Sequence, residues 1–108
     1  MENARLQELL KFHREDPSDP FLIYALATEY LKTDAVQAEA YYSILLKDHP
    51  DYLPVYYHAA KFYEAKADYN QAAALYKKGI QLSLDQKNMK THRELMNALN
   101  EMELMNGE

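Results

Sequence analysis

The sequence repeats itself, and the period decides the class of fold. Asp34-x-x-Gln37-Ala38-x-x-x-Tyr42 returns 34 residues later as Asp68-x-x-Gln71-Ala72-x-x-x-Tyr76, with Leu46 returning as Ile80. Upstream, Ile23-x-x-Leu26-Ala27-x-x-Tyr30 matches Tyr56-x-x-Ala59-Ala60-x-x-Tyr63 at a spacing of 33. Each upstream set falls at i, i+3, i+4, i+7, the spacing of one helical face. A period of this length belongs to stacked supersecondary units, none of which can bury its apolar face alone.

The punctuation between these segments agrees with helix pairs. All four prolines form two pairs, Pro17 with Pro20 and Pro50 with Pro54, whose first members are 33 residues apart. Pro20 and Pro54 stand where a first helical turn needs no N–H, and Ser18 with Asp19 reads as capping ahead of Pro20. Asp34 and Asp68 open the second helix of each pair: the carboxylate accepts from an orphan amide, and Gln three residues on is placed to reach back in a capping box. The intervening links are tight, and Leu31-Lys32-Thr33 is one residue shorter than Glu64-Ala65-Lys66-Ala67.

This pattern resembles the tetratricopeptide repeat, in which W-x2-L-G-x2-Y, A-x3-F and a closing Pro recur. Ile23, Leu26, Ala27, Tyr30, Ala38, Tyr42 and Pro50 fill those places in the first copy. Tyr56, Ala59, Ala60, Tyr63, Ala72 and Tyr76 fill them in the second, where Leu84 replaces the Pro. Small residues at Ala27, Ala38, Ala60 and Ala72 let neighbouring helices approach while aromatic rings fill the space beside them. The resemblance covers about two thirds of the chain and implies an all-α fold, a short solenoid of antiparallel helix pairs.

The ends depart from the repeat. In residues 1–17 the place of the small residue is taken by Arg5, so a lone second-type helix from Glu2 to Arg14 is expected, a half repeat covering the first full one with Leu6, Leu9, Leu10 and Phe12. Residues 18–50 and 51–84 are the two full repeats. Residues 85–108 read as a terminal cap with Met89, His92, Leu95, Met96, Leu99 and Met102 at three- and four-residue steps, which a solenoid needs to keep its last apolar face from water. Lys87, Lys90 and Arg93 near the start of this helix and Glu101 and Glu103 near its end oppose the helix dipole, so its last turn is expected to fray.

Composition narrows the function. With 17 acidic against 12 basic residues and a net charge of −5, the chain lacks the cationic footprint for phosphate backbones or anionic membranes, so neither nucleic acid nor membrane is an expected partner. No apolar run reaches the ~18 residues of a membrane span, and a cytoplasmic protein is expected. The absence of cysteine removes disulfides, thiolate metal sites and thiol nucleophiles together. His13, His49, His58 and His92 share no metal-ligand spacing, and His92, on an apolar stripe, reads as a hydrogen-bonded core or boundary residue. Ser18, Ser43 and Ser83 form no nucleophile elbow, and Gly79 and Gly107 cannot make a phosphate loop. No enzyme activity, metal or cofactor is expected.

The resemblance also implies a use. In the family, the first helix of each repeat lines a concave surface that binds peptides or helices. Carried onto this sequence, that surface is Tyr24, Thr28, Leu31 and Lys32, then Tyr57, Lys61, Glu64 and Ala65. Tyr24 and Tyr57 are equivalent and lie off the inward faces that hold Ile23 and Tyr56. Tyrosine supplies a stiff contact surface with a polar tip. Lys32 and Lys61 are the basic residues among these positions, too few for the Lys and Asn clamp by which some members hold acidic C-termini. The expected function is therefore a non-enzymatic interaction module for a protein or peptide ligand. The alternative is a homodimer built through Met96, Leu99 and Met102, and the expected state is a monomer or weak homodimer.

Overall fold

The structure, a computed structural model, describes residues 3–106, so the Glu2 start expected for the first helix and Gly107 lie outside the described residues. Among them are six helices: α1 (Ala4–Glu15), α2 (Pro20–Tyr30), α3 (Ala35–Asp48), α4 (Pro54–Ala65), α5 (Tyr69–Asp85) and α6 (Met89–Met105). They form an all-α helical repeat in two compact units, Met1–Tyr52 and Leu53–Glu108.

In the first unit α2 packs between α1 and α3. Its Pro20 occupies the first turn and Asp19 Oδ1 caps it by accepting from the Phe21 amide at 2.9 Å. Leu26, Ala27, Ala38, Tyr42 and Leu45 are fully buried, and Ile23 nearly so. Leu9 of α1 joins Ala25 and Leu26, with Leu6 and Leu10 packed against them. Phe12, expected to help cover the first repeat, faces solvent. Tyr30, expected on the inward face, is only half-buried and stacks on Tyr41 with ring centroids 5.7 Å apart.

The second unit packs α5 between α4 and α6. Val55, Ala59, Ala60, Ala72, Tyr76 and Leu95 are fully buried, and Tyr56 nearly so. Gly79 permits the closest approach: a Cβ there would stand 2.8 Å from the Tyr56 Cβ and 3.0 Å from a Leu95 methyl. His92 behaves as a boundary histidine, its Nδ1 lying 3.2 Å from the Oγ of buried Ser83.

Two turns of this unit share one device. Ala67 (φ 63°) and Lys87 (φ 59°) adopt the left-handed conformation. Their amides donate three residues back, to Glu64 and Leu84, and the next amides, of Asp68 and Asn88, donate five residues back to the Tyr63 and Ser83 carbonyls at 2.9 Å. This is the Schellman arrangement that satisfies orphan helix carbonyls. Asp68 and Asn88 then cap the following helices, accepting from the Gln71 amide at 3.2 Å and the Thr91 amide at 3.1 Å. In the first unit Asp34 likewise accepts from the Gln37 amide while its own amide donates to Tyr30 O at 2.7 Å. The Asp half of each expected capping box is therefore present, but the Asp amide that the Gln was to accept from already serves the preceding helix.

At the end of α6 the Met102 carbonyl is doubly served. Asn106 donates from both its backbone amide (3.0 Å) and its side chain Nδ2 (2.7 Å) to the Met102 carbonyl.

Candidate functional site

In the first unit Tyr24 and Thr28, one turn apart on α2, come together with Lys32 of the turn that follows it. With Arg5 of α1 and with Phe21 and Glu29 of α2 they line a cleft of about 310 Å³. Leu31, also expected there, is the C-cap of α2 and does not line it. The Tyr24 ring tilts against Tyr52 at 5.7 Å, and burial raises its hydroxyl pKa. Thr28 Oγ1 is turned back to donate to the Tyr24 carbonyl at 3.0 Å.

Glu29 is the electrostatic centre of this cleft and was not anticipated from the sequence. It is only 5% exposed. Its carboxylate accepts from Asn3 Nδ2 at 2.9 Å and Lys32 Nζ at 3.0 Å and pairs with Arg5 Nε at 3.4 Å. The Asn3 bond, followed by that from Lys32, holds the carboxyl below its usual pKa against the effect of desolvation. Asn3 also caps α1 by accepting from the Leu6 amide at 3.1 Å, so one side chain both starts α1 and ties it to α2. The oversized Arg5 thus marks a residue that reaches across to a buried acid.

In the second unit, Tyr57 and His58 of α4 face Glu94, Asn97, Ala98 and Glu101 of α6 across a cleft of about 430 Å³. The two α4 rings meet edge to face at 5.4 Å, and burial lowers the His58 pKa. Lys61 Nζ stands 5.7 Å from the Tyr57 ring centroid and 3.9 Å from Glu64 Oε1. Glu64 in turn accepts the Tyr76 hydroxyl at 2.8 Å. Neither Lys61 nor Glu64 lines the cleft. Ala65, at the C-terminus of α4, is exposed.

Of the trio expected to carry self-association, Leu99 and Met102 are buried at 9% and 3% exposure while Met96 is 40% exposed. The three do not form one free face, because two of them are used in packing α6. No group of three or more metal-ligating side chains converges among the described residues. Among the described residues no helix is long and apolar enough to cross a membrane.

No protein-family model matches the chain, and no curated protein does. Among solved structures, the solution structure of a tetratricopeptide repeat domain protein from Salinibacter ruber superposes with a TM-score of 0.78 at 39% identity, over 82% of this chain and 90% of that one. A crystal structure of a tetratricopeptide repeat domain protein from the same organism gives a TM-score of 0.74 at 38% identity, over 80% of this chain and 97% of that one.

Proposed function

The chain belongs to the tetratricopeptide repeat family, and from that premise we propose that it is a non-enzymatic interaction module binding a peptide or helix of a partner protein on the first-helix faces of its repeats. The family fold is in general a scaffold for protein–protein interaction. The observation that carries the finer reading is the gathering of Tyr24, Thr28 and Lys32 around one open cleft, with Phe21 exposed beside them. Tyr57 occupies the equivalent place in the second repeat and lines a cleft of its own. Aromatic anchors in such clefts supply contact area at little conformational cost.

The test separates binding from folding. Tyr24→Ala and Tyr57→Ala should leave a helical, cooperatively melting protein, whereas Tyr63→Ala removes a buried ring and should cost roughly 3 to 5 kcal/mol. In pull-downs the double Tyr24→Ala, Tyr57→Ala variant should lose the partners that wild type retains. Retention of every partner by the folded double variant would end this reading.

A second reading, a homodimer through α6, is supported by the exposed Met89 and Met96, seven residues apart and so on one face of that helix. Light scattering over a concentration series tests it: a mass that never rises above the monomer, in wild type and in Met96→Glu alike, removes it.

A further inference from the structure

We propose that the α4–α6 cleft of the second unit receives a lysine or arginine side chain from a basic peptide segment, held between the Glu94 and Glu101 carboxylates and the Tyr57 ring. The proposal rests on the interaction-module reading and adds the chemistry of the ligand.

Glu94, Asn97, Ala98 and Glu101 lie at i, i+3, i+4 and i+7, so α6 turns all four to the same wall of the cleft. Buried Ala98 keeps the middle of that wall low. Glu94 and Glu101 are two turns apart, a backbone rise of about 10 Å, and flank the lower stretch. Both are exposed, and neither has a hydrogen-bond or ion-pair partner among the described residues. Opposite them, the Tyr57 ring already has the Lys61 ammonium at 5.7 Å, and that cation is itself drawn to Glu64. His58, the other ring of the α4 wall, is kept uncharged at neutral pH by burial. Every formal charge on the lining is therefore negative, and an aromatic face is present for cation–π contact. The first-unit cleft is different. Its one carboxylate, Glu29, is already paired with both Arg5 and Lys32, so it offers no unpaired negative charge.

A phage-displayed library of random 12-residue peptides, panned on the full chain and on a Glu94→Gln, Glu101→Gln double variant, tests this. Both substitutions are isosteric and exposed, so the fold is expected to persist, with circular dichroism as the check. Wild type should enrich Lys- and Arg-bearing peptides, and a synthetic copy of the most enriched one should bind about tenfold more weakly to the double variant, with the difference shrinking in high salt. Enrichment of neutral or acidic peptides, or equal affinity for both proteins, overturns the basic-ligand proposal and leaves the peptide-binding reading standing. No enrichment at all overturns both. A dimer that dissociates in the double variant assigns the cleft to a second copy of the chain and also overturns the proposal.

Discussion

Tyr76, fully buried in α5, donates its hydroxyl hydrogen bond to Glu64 Oε1 of α4 at 2.8 Å. Glu64 was expected to be a groove residue; its Oε1 accepts from this phenol and lies 3.9 Å from Lys61 Nζ. Its chemistry serves the helix pair.

Glu64→Ala should therefore act on stability. It strands a buried hydroxyl, which costs about 1 to 3 kcal/mol. Tyr76→Phe should cost less, about 0.5 to 1.5 kcal/mol, because Glu64 keeps access to water and to Lys61. A double-mutant cycle by urea denaturation should return a favourable coupling between the two. Strict additivity would show that the bond contributes nothing.

The protein should unfold in alkali. Burial, with smaller help from Tyr24, pushes the Tyr42 pKa from 10.0 up to about 12, and burial followed by the Glu64 hydrogen bond raises Tyr76 as well. A raised folded-state pKa leaves its contribution intact below the unfolded value and erodes it as pH climbs through the folded one. Stability should thus hold to near pH 10 and fall between there and about 12. Tyrosinate absorbance should appear in two stages, the second coinciding with loss of helical dichroism. A single early stage with the helix intact would contradict the burial of these phenols.

Gly79→Ala should destabilise the second unit although alanine is the better helix former. The added methyl would meet the Tyr56 Cβ at 2.8 Å, an atom fixed to its own helix. Overpacking of that kind costs roughly 1 to 3 kcal/mol, against a propensity gain of about 1. A higher melting temperature would show that the α4–α5 contact can open freely.

Ala67→Gly and Lys87→Gly should each stabilise. Both residues hold positive φ, at 63° and 59°. For an L-residue that conformation costs roughly 1 to 2 kcal/mol, and glycine avoids it for an entropic penalty of about 0.5 to 1. A gain of about 0.5 to 1 kcal/mol in unfolding free energy is expected for each, read as a higher urea midpoint without change of slope. Loss of stability in both would mean that the side chains contribute more than their backbone strain.

The core was legible because it is written twice. Ala27, Ala38, Ala60, Ala72, Tyr42 and Tyr76 occupy matched places and all are buried, since close helix crossing demands small residues and large fillers in register. Tyr24, Thr28, Lys32 and Tyr57, expected at a groove, line two clefts. The other walls of those clefts were not read. Asn3 and Glu29 meet across 26 residues of chain with Arg5 beside them, a grouping no local period encodes. Glu94, Asn97 and Glu101 lie past Leu84, where the repeat register stops. Their one-face spacing is present in the sequence, but it lies on the polar flank of α6, beside the apolar stripe that marks the cap.

The residues that close one helix and open the next also govern how the chain moves. Asp68 ends α4 through its amide and begins α5 through its carboxylate, and Asn88 does the same between α5 and α6. Neither helix end can unravel without releasing the start of its neighbour. Local opening at these corners is thus a joint event, and the Asp68 and Gln71 amides should exchange their hydrogens with solvent in step, as should those of Asn88 and Thr91. Helix ends that elsewhere breathe independently are here geared together, so a load applied to one helix of the second unit is passed to the next as rotation about a stiff corner.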